Sequence, residues 1–502
     1  MDVIVETTLG KVRGATTDGI SVFKGLAYGA DTSGRNRFRP PVKPEPWTGV
    51  RDALLFGDRS PHPTSGPGLS EPPTEPESEN CLCLNVWTPG VGDGRKRPVL
   101  FWCHGGGFTV GSGAEPRSYG TNLARRGDAV IVAVNHRLGP FGYCYLGQLA
   151  NEEYPASGNV GQLDLVAALE WVRDNIAAFG GDPGNVTIFG ESGGGAKVGA
   201  LMAMPSAVGL FHRAIMQSGP GLRATEPERA TQTAERFLKE LGVSATDTQG
   251  LSSVTTAQIL AANARANPDG RLGWAPVFDG YVLPNHPFEP VAPAISANIP
   301  LMIGTTKDEA TGFLMGDPAV RTLDEAALHT RVEVFAKERT DALIAAYHHT
   351  YPHVSVTDLY MTIATDQMMR INSITVAERK YAQHAAPVFM YLFTWETPAF
   401  NGLLKSCHAL EIPFVFDTVE QGSDFIGDSP ECTTIAENMS EAWLSFARDG
   451  VPSYRGIPTW PAYTPETRAT MFFGTECHVV NDPGGEVRQA WDGMTVYGIR
   501  LA

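Results

Sequence analysis

The sequence predicts an α/β fold in which a mostly parallel central sheet is flanked by helices. Short and almost wholly apolar runs, typical of buried parallel strands, recur along the chain. Segments of helical periodicity alternate with them, and a glycine-rich turn joins one run directly to a helix. The chain has 502 residues, of which 42% are hydrophobic, and neither an internal repeat nor a linker. We therefore expect a single domain over residues 1–502.

The elements follow from these patterns in chain order. Residues 1–14 alternate apolar and polar side chains like a β-hairpin, and residues 60–80, rich in proline, serine and glycine, predict a surface loop. Residues 163–179 carry apolar side chains at helical spacing, and residues from about 318 to 385 have the pattern of amphipathic helices that would cap the sheet. Apolar runs that predict strands of the sheet occupy residues 82–87, 98–103, 129–134, 186–189, 300–304 and 388–393.

Residues 190–194, Gly-Glu-Ser-Gly-Gly, match the pattern G-x-S-x-G between an apolar run and an alanine- and leucine-rich segment of helical character. A strand, a tight turn and a helix in this order are typical of a nucleophile elbow, where small residues two positions either side of the serine avoid collision. The following helix would direct its free N–H groups toward that serine. An ordinary serine in a glycine-rich turn is the alternative, and this context favours Ser192 as a nucleophile.

A second glycine-rich segment, His-Gly-Gly-Gly-Phe at residues 104–108, directly follows another apolar run. Three consecutive glycines leave backbone N–H groups unshielded, and in hydrolases with a nucleophile elbow such a loop donates to the developing oxyanion. The N–H group of the residue after the nucleophile, here Gly193, joins them. A flexible turn is the alternative, which the position of the loop after a buried strand disfavours.

A serine hydroxyl needs a neutral imidazole to accept its proton and a carboxylate to orient that imidazole. His408 precedes an apolar run and is the best candidate, whereas His384 lies in a helical surface segment and no loop presents His478. Asp308 and Glu309 both follow an apolar run, and the residues alone do not separate them. This chemistry implies no metal and no organic cofactor.

Composition narrows the possible partners. The net charge is −16 without any basic run, which argues against nucleic acid. No apolar run approaches the roughly 18 residues that span a bilayer, and the first residues lack the pattern of a secretion signal. Seven cysteines, scattered and odd in number, favour reduced thiols over a disulfide framework. We therefore expect a cytoplasmic protein without membrane partners, monomeric by default.

Ten stretches distributed over nearly the whole chain carry a family resemblance. They read KGLAYG, SENCLCLNVWTPG, HGGGF, NHRLGPFG, AFGGDPGNVTIFGESGGG, IMQSG, IGTTKDEATGF, CHALEIPFVF, AWLSFARDGVP and WPAY. With these motifs in this order, the chain resembles the type-B carboxylesterases, a family that includes bacterial p-nitrobenzyl esterases and, more distantly, the cholinesterases. The resemblance implies an α/β-hydrolase fold with helical cap insertions, and hydrolysis of carboxylic esters by acyl transfer.

The resemblance also assigns site residues. It implies Ser192 as the nucleophile, Glu309 as the acid and His408 as the base, which resolves the choice between the two neighbouring carboxylates. The oxyanion would be bound by the N–H groups of Gly106, Gly107 and Gly193.

Four further residues are expected close to this site. The resemblance places Ser218 beside the triad as a hydrogen-bonding group, with Glu191 as a second polar neighbour. Phe108 and Phe313 lie next to the predicted catalytic loops and are candidates for lining the substrate pocket, with ordinary core packing as the alternative.

The chain departs from the family pattern at one position next to the nucleophile, and two ion pairs are also expected. Relatives usually carry alanine directly after the nucleophile, so Gly193 predicts a somewhat looser loop. The resemblance also implies two partly buried ion pairs, Arg37 with Glu79 and Arg137 with Asp182, which would support the scaffold.

The predicted function is hydrolysis of small to medium aryl and alkyl esters by a Ser-His-Glu site. Carbamates, amides or aromatic polyester fragments are alternative substrates of the same triad, which the sequence does not discriminate. A non-enzymatic esterase-like binding protein is disfavoured because all three triad residues are present. Since His408 must be neutral to act as a base, we expect activity to fall as the pH drops through roughly 6 to 7.

Overall fold

The computed structural model of the chain describes residues 1–63, 75–150, 153–268 and 273–494. Thirteen strands in this described part form one sheet. In chain order they are β1 (Asp2–Glu6), β2 (Lys11–Thr17), β3 (Ile20–Ala27), β4 (Val50–Asp52), β5 (Cys83–Thr88), β6 (Arg97–Cys103), β7 (Val130–Val134), β8 (Gly181–Glu191), β9 (Arg213–Gln217), β10 (Leu301–Thr306), β11 (Val388–Phe393), β12 (Thr470–Phe473) and β13 (His478–Val480).

The order of strands across the sheet is β1-β2-β3-β5-β7-β6-β8-β9-β10-β11-β12-β13, and β4 pairs with β2. Neighbouring strands from β7 through β12 are parallel. The pairs that join β1, β2, β3, β5 and β7 are antiparallel, as is the last pair, β12 with β13. The predicted mostly parallel central sheet and the predicted N-terminal hairpin are therefore confirmed.

Helices cover both faces of this sheet. In chain order they are α1 (Thr121–Gly127), α2 (Gly139–Tyr143), α3 (Val160–Asn175), α4 (Gly193–Ala203), α5 (Pro227–Leu241), α6 (Thr248–Ser253), α7 (Thr256–Ala266), α8 (Thr311–Leu314), α9 (Glu325–Ala336), α10 (Thr340–Thr350), α11 (Val356–Thr365), α12 (Ile371–Tyr381), α13 (Ile412–Phe416), α14 (Ser423–Ile426), α15 (Cys432–Asp449) and α16 (Gly485–Ala490).

The alternation of side chains along β6 shows how the two faces are filled. Val99 and Phe101 belong to an apolar cluster with residues of α3 and α4. Leu100 and Trp102 point the other way, into a cluster with residues of α1 and α15. Because successive side chains of a strand face opposite sides, a strand covered by helices on both faces is apolar throughout, as the sequence predicted.

The predicted strands agree with the observed ones to within one or two residues, except at β8. That strand begins at Gly181, five residues before the predicted run, although Asp182, Pro183 and Gly184 are typical turn residues. Gly181 pairs with Arg97 at the start of β6, and the register shifts before the regular pairing resumes at Val186. Because of this irregular pairing, β8 includes polar residues that are typical of turns.

The segment predicted as a helical cap contains α9 to α12, so its helical character is confirmed, and its role as a cap stays a prediction. Residues of α9, α10, α11 and α16 share an apolar cluster of their own. In contrast, Ile374 and Val376 of α12 pack into the cluster under the main sheet. Of the predicted loop at residues 60–80, residues 64–74 lie outside the described residues. In the remainder, Glu77 forms an isolated bridge with Arg59, which precedes the loop.

Two buried arginines brace the loops around the sheet. Arg37 forms two hydrogen bonds with Glu79, both 2.7 Å, as the resemblance implied. The implied pair of Arg137 with Asp182 is wrong. Arg137 instead forms hydrogen bonds of 2.6 and 2.8 Å with Asp164 of α3, which is fully buried beside it. Asp182 accepts the N–H group of Gly184 and so stabilises its own turn.

Candidate active site

The candidate site residues meet at one edge of the sheet, where the central parallel strands end. Cys103 at the end of β6 lies opposite Gly190 of β8. Glu191 of β8 lies opposite Gln217 of β9. The loops that follow β6, β8 and β10 therefore emerge side by side, because parallel strands present their carboxyl ends at the same edge. They carry the glycine loop, Ser192 and Glu309, and the segment after β11 adds His408.

Ser192 occupies a strained turn between β8 and α4. Its φ and ψ angles are 56° and −122°, a conformation that is costly for a residue with a side chain. The turn is held by a hydrogen bond of 2.8 Å from the N–H group of Ser192 to the oxygen of Gln217. A Cβ atom at Gly194 would lie 2.0 Å from the oxygen of Cys103, and one at Gly190 would lie 2.5 Å from Gly194. The predicted need for small residues two positions before and after Ser192 is confirmed.

Glu309, rather than Asp308, contacts the imidazole. Glu309 Oε2 lies 2.6 Å from His408 Nδ1, and Glu309 Oε1 accepts the N–H group of Thr306 at 2.8 Å. Both carboxylate oxygens are thus engaged, and the residue is fully buried. Asp308 turns toward the N–H group of Ser406, which lies 3.2 Å from its Oδ2.

The other imidazole nitrogen faces a second carboxylate. His408 Nε2 lies 3.2 Å from Glu191 Oε1. The hydroxyl of Ser192, which adjoins Glu191 in the chain, forms no hydrogen bond within the described part of the structure. Hydrogen bonds between catalytic groups are often loose in the absence of substrate and tighten in the complex. On the outer side, the ring of Phe313 packs 4.8 Å from the imidazole.

The glycine loop lies tightly against the start of α4. Gly106 and Gly107 have φ angles of 80° and 62°, which glycine adopts readily. The oxygen of Gly106 accepts the N–H group of Val110 at 3.1 Å, so the loop closes on itself. A Cβ atom at Gly193 would lie 2.1 Å from the oxygen of Gly107. The expectation of a looser loop is therefore wrong: the absence of a side chain at residue 193 allows closer packing.

The three backbone N–H groups of this site stay free. Within the described residues, those of Gly106, Gly107 and Gly193 donate to no other group. Unpaired N–H groups at a helix start and in a glycine loop form a ready site for negative charge.

A cluster of buried carboxylates surrounds His408. Burial lowers the pKa of His408, but the carboxylates of Glu191 and Glu309 outweigh burial and raise it to about 9. Burial in turn raises the pKa of Glu191, and burial together with the neighbouring Glu191 carboxylate raises that of Glu411. The imidazolium form is thus strongly favoured at this position.

Glu411 was missed by sequence reasoning. It is fully buried, and its Oε1 accepts a hydrogen bond of 3.2 Å from Gln217 Nε2. Trp443 Nε1 donates to Gln217 Oε1 at 3.0 Å, which orients that amide. A single acidic residue inside the apolar run that follows His408 was the available signal.

The remaining predicted neighbours fall into two groups. Phe313 contacts the imidazole, whereas Phe108 packs edge-on against Tyr143 at 5.2 Å. Ser218 is fully buried beside Gln217, and its hydroxyl has no hydrogen-bond partner within the described residues. The pocket role of the two phenylalanines and the supporting role of Ser218 stay predictions. In the same part of the chain, no group of three or more His, Cys, Asp or Glu side chains is arranged to hold a metal ion.

A serine elbow, an adjacent glycine loop and a histidine–carboxylate pair at one edge of a parallel sheet define an α/β-hydrolase. Comparison with known proteins gives the family. The sequence matches the carboxylesterase family over residues 1–490, and the chain belongs to that family. It is similar to the para-nitrobenzyl esterase of Bacillus subtilis, with 38% identity over 97% of this chain and 98% of the relative. The protein is a carboxylic-ester hydrolase.

Other relatives extend the similarity over the full length. A phenmedipham hydrolase of Pseudarthrobacter oxydans is 34% identical, over 96% of each chain. The crystal structure of a Geobacillus stearothermophilus carboxylesterase superposes with a TM-score of 0.87, at 42% identity over 97% of this chain and all of that one. An esterase of Clostridium hathewayi that hydrolyses aliphatic aromatic polyesters superposes with a TM-score of 0.81, at 35% identity over 98% of each chain. No described helix has the length and apolar character needed to cross a membrane.

Proposed function

We propose that the chain hydrolyses esters through a covalent acyl intermediate on Ser192, with His408 as the base and Glu309 as the carboxylate that orients it. The observation that carries this proposal is the contact of 2.6 Å between His408 Nδ1 and Glu309 Oε2. It lies at the sheet edge where Ser192 occupies its strained turn. A base held by a buried carboxylate, at the sheet edge that carries the candidate nucleophile, is the arrangement that serine catalysis requires.

In the first step, Ser192 Oγ attacks the ester carbonyl carbon and His408 Nε2 accepts the hydroxyl proton. The carbonyl oxygen becomes an oxyanion, which the N–H groups of Gly106, Gly107 and Gly193 would bind. Each such donor is worth about 3 kcal/mol in the transition state. As the bond between the carbonyl carbon and the alcohol oxygen breaks, His408 gives its proton to the departing alcohol.

In the second step, water attacks the acyl carbon and His408 accepts a proton from it. The bond between the acyl carbon and Ser192 Oγ breaks, the proton returns to Oγ, and the carboxylic acid leaves. Throughout both steps Glu309 keeps the Nδ1–H tautomer and stabilises the transient imidazolium. The firm anchoring of Glu309 by the N–H group of Thr306 supports this role.

The expected substrates are small to medium aryl and alkyl esters, as the similarity to para-nitrobenzyl esterase favours. The ring of Phe313, 4.8 Å from the imidazole of His408, would offer an apolar surface to a substrate bound there. Carbamates, amides and polyester fragments would use the same residues. Because the relatives include a phenmedipham hydrolase and an esterase that hydrolyses aliphatic aromatic polyesters, a substrate panel should include p-nitrobenzyl and alkyl esters, phenmedipham and such a polyester.

Replacement of the nucleophile tests the proposal. Ser192→Ala should lower kcat for p-nitrobenzyl acetate by at least about 10⁴-fold, because no acyl intermediate can form. Ser206→Ala, at an exposed serine just beyond α4, is the matched control and should keep wild-type turnover. Full turnover by the Ser192 variant would refute the proposal. A cytoplasmic location, a monomeric state and the absence of nucleic-acid and membrane partners stay predictions.

A further inference from the structure

Lys197 is an unexpected residue in the helix that begins at the nucleophile. It lies on α4, five positions after Ser192, and is fully buried. Its Nζ donates a hydrogen bond of 2.8 Å to the carbonyl oxygen of His104, the residue that precedes the three glycines. No carboxylate of the described residues lies within ion-pair distance of this amine. A buried amine without a counter-ion is strongly unfavourable, and an unbranched apolar side chain would fill the same space without that penalty.

The groups in contact with the amine are a backbone carbonyl and an aromatic ring. Nζ lies 5.6 Å from the centre of the Phe108 ring. The His104 ring stacks on that of His136 at 4.9 Å, and burial lowers the pKa of both histidines. Burial also lowers the pKa of Lys197 to about 7, and both its charged and its neutral form can donate to the His104 oxygen. The other ionisable groups that act on the amine are Cys103, Glu115 and Glu191.

We propose that Lys197 is a positioning residue of the oxyanion hole, which fixes the N–H groups of Gly106 and Gly107 by holding the carbonyl oxygen of His104. This inference rests on the proposed function. A run of three glycines has wide backbone freedom, so its direction depends on anchors at its two ends. At the far end, Val110 donates to the oxygen of Gly106. At the near end, two side chains act as anchors: the His104 imidazole bonds the oxygen of Gly105 at 2.9 Å, and Lys197 holds the oxygen of His104 itself.

A positioning role makes a specific kinetic prediction. The oxyanion exists only in the transition state and the tetrahedral intermediate, so misdirected donors should lower kcat and leave KM nearly unchanged. A displacement of about 1 Å at such a site costs about 100-fold, and we expect Lys197→Met to lower kcat by about 10- to 100-fold. Methionine fills similar space and cannot donate to the His104 oxygen.

Lys380 provides the matched control. It is also fully buried, and its Nζ donates to the carbonyl oxygens of Ser296 and Ala297, far along the chain from the site. Lys380→Met thus removes the same kind of amine and the same kind of hydrogen bond. It should leave kcat of the folded enzyme within about threefold of the wild type.

A transition-state analogue separates positioning from a structural role. An aryl trifluoromethyl ketone adds to a nucleophilic serine and places an oxyanion in the hole, whereas the matching methyl ketone binds largely unreacted. In the Lys197→Met enzyme, the Ki of the trifluoromethyl ketone should rise by the same 10- to 100-fold as kcat/KM falls. The Ki of the methyl ketone should change by less than about threefold.

Stability supplies an opposite and independent readout. Because the folded pKa of Lys197 lies below its unfolded value, the penalty for burying the charged amine is full below pH 7 and declines as the pH rises. Lys197→Met should therefore raise Tm, and by more at pH 6 than at pH 9. A residue with only a structural role would instead lose stability without losing kcat per folded molecule.

The outcomes separate the two proposals. A folded Lys197→Met enzyme with wild-type kcat, or an equal loss of kcat in Lys380→Met, would overturn the positioning role. If Lys197→Met and Lys197→Gln both fail to fold, Lys197 is a folding element and the inference is likewise overturned. Retention of full activity by Ser192→Ala would instead refute the catalytic assignment on which the inference rests.

Discussion

The two sides of Ser192 differ in electrostatic character. On the histidine side, Glu191, Glu309 and Glu411 are buried together, and their carboxylates favour the protonated form of His408. On the glycine-loop side, the buried Lys197 has no carboxylate partner in the described structure, and the N–H groups of the glycine loop and of Gly193 donate to no other described group. In the proposed mechanism, acyl transfer creates a positive imidazole on the first side and a negative oxygen on the second. We therefore infer that the site is arranged in advance for these charges.

The largest effect is expected from removing a carboxylate on the histidine side of Ser192. Glu309→Gln should lower kcat by about 10³- to 10⁴-fold, because a neutral amide no longer holds the imidazole in the required tautomer. Asp308→Asn is the matched control, since Asp308 contacts the N–H group of Ser406 and not the imidazole. Steady-state kinetics of the two variants should therefore diverge by at least about a hundredfold. Equal losses in both would mean that the carboxylate has been assigned to the wrong residue.

A smaller effect is expected from a change on the other side. Gly193→Ala places a Cβ atom 2.1 Å from the oxygen of Gly107, so the glycine loop must move away from α4. We expect a fall in kcat of about 10- to 100-fold with little change in KM. The family resemblance implies alanine at this position in most relatives, so we expect alanine to be compatible with the chemistry and incompatible only with the close loop of this chain.

Gly199→Ala is the control for that substitution on the same helix. Its Cβ atom would approach nothing closer than the flexible end of Met216, at 3.4 Å. It should retain full activity and gain up to about 1 kcal/mol of stability from helix propensity. A Gly193→Ala enzyme as active as Gly199→Ala would show that the close packing of the loop has no catalytic value.

The smallest effect concerns pH. Because the pKa of His408 is raised to about 9, the neutral base becomes abundant only as the pH approaches that value, and kcat/KM should rise up to it. The expectation of a fall through pH 6 to 7 stays a prediction, and the buried carboxylates, which it did not take into account, extend that fall to higher pH. Glu191→Gln removes the largest of the raising influences and should move the acid limb down by about one pH unit. Glu411→Gln removes the smallest of the influences that raise the pKa of His408, so it should move the acid limb of the pH profile by less.

The fold and the chemical types at the site could be predicted from the sequence, for physical reasons. Buried parallel strands must be apolar, and a serine elbow tolerates only small neighbours, so both leave patterns in neighbouring residues. The choice of Glu309 over Asp308 needed the family resemblance, because adjacent residues after a strand differ only in the direction of their side chains. The structure resolves the direction through the N–H group of Thr306.

Contacts between distant parts of the chain could not be predicted. Arg137 pairs with Asp164 rather than Asp182 because the fold brings the side chain of Asp164, on α3, to its guanidinium group, which no local pattern encodes. Glu411 and Lys197 lie in apolar segments. A lone charged residue in such a segment is predicted to be buried, but the sequence does not indicate which group it contacts. The closeness of the glycine loop to Gly193 depends on how that loop packs against α4. The sequence instead suggested a looser loop.

The pH dependence of inactivation by a fluorophosphonate, with the adduct mapped by mass spectrometry, tests the nucleophile and its base together. We predict one phosphonylated residue per chain, Ser192, and a second-order rate constant that rises with pH to a plateau above about 9 as His408 loses its proton. An adduct on any other residue, or a rate constant that stays level between pH 6 and 10, would contradict the account.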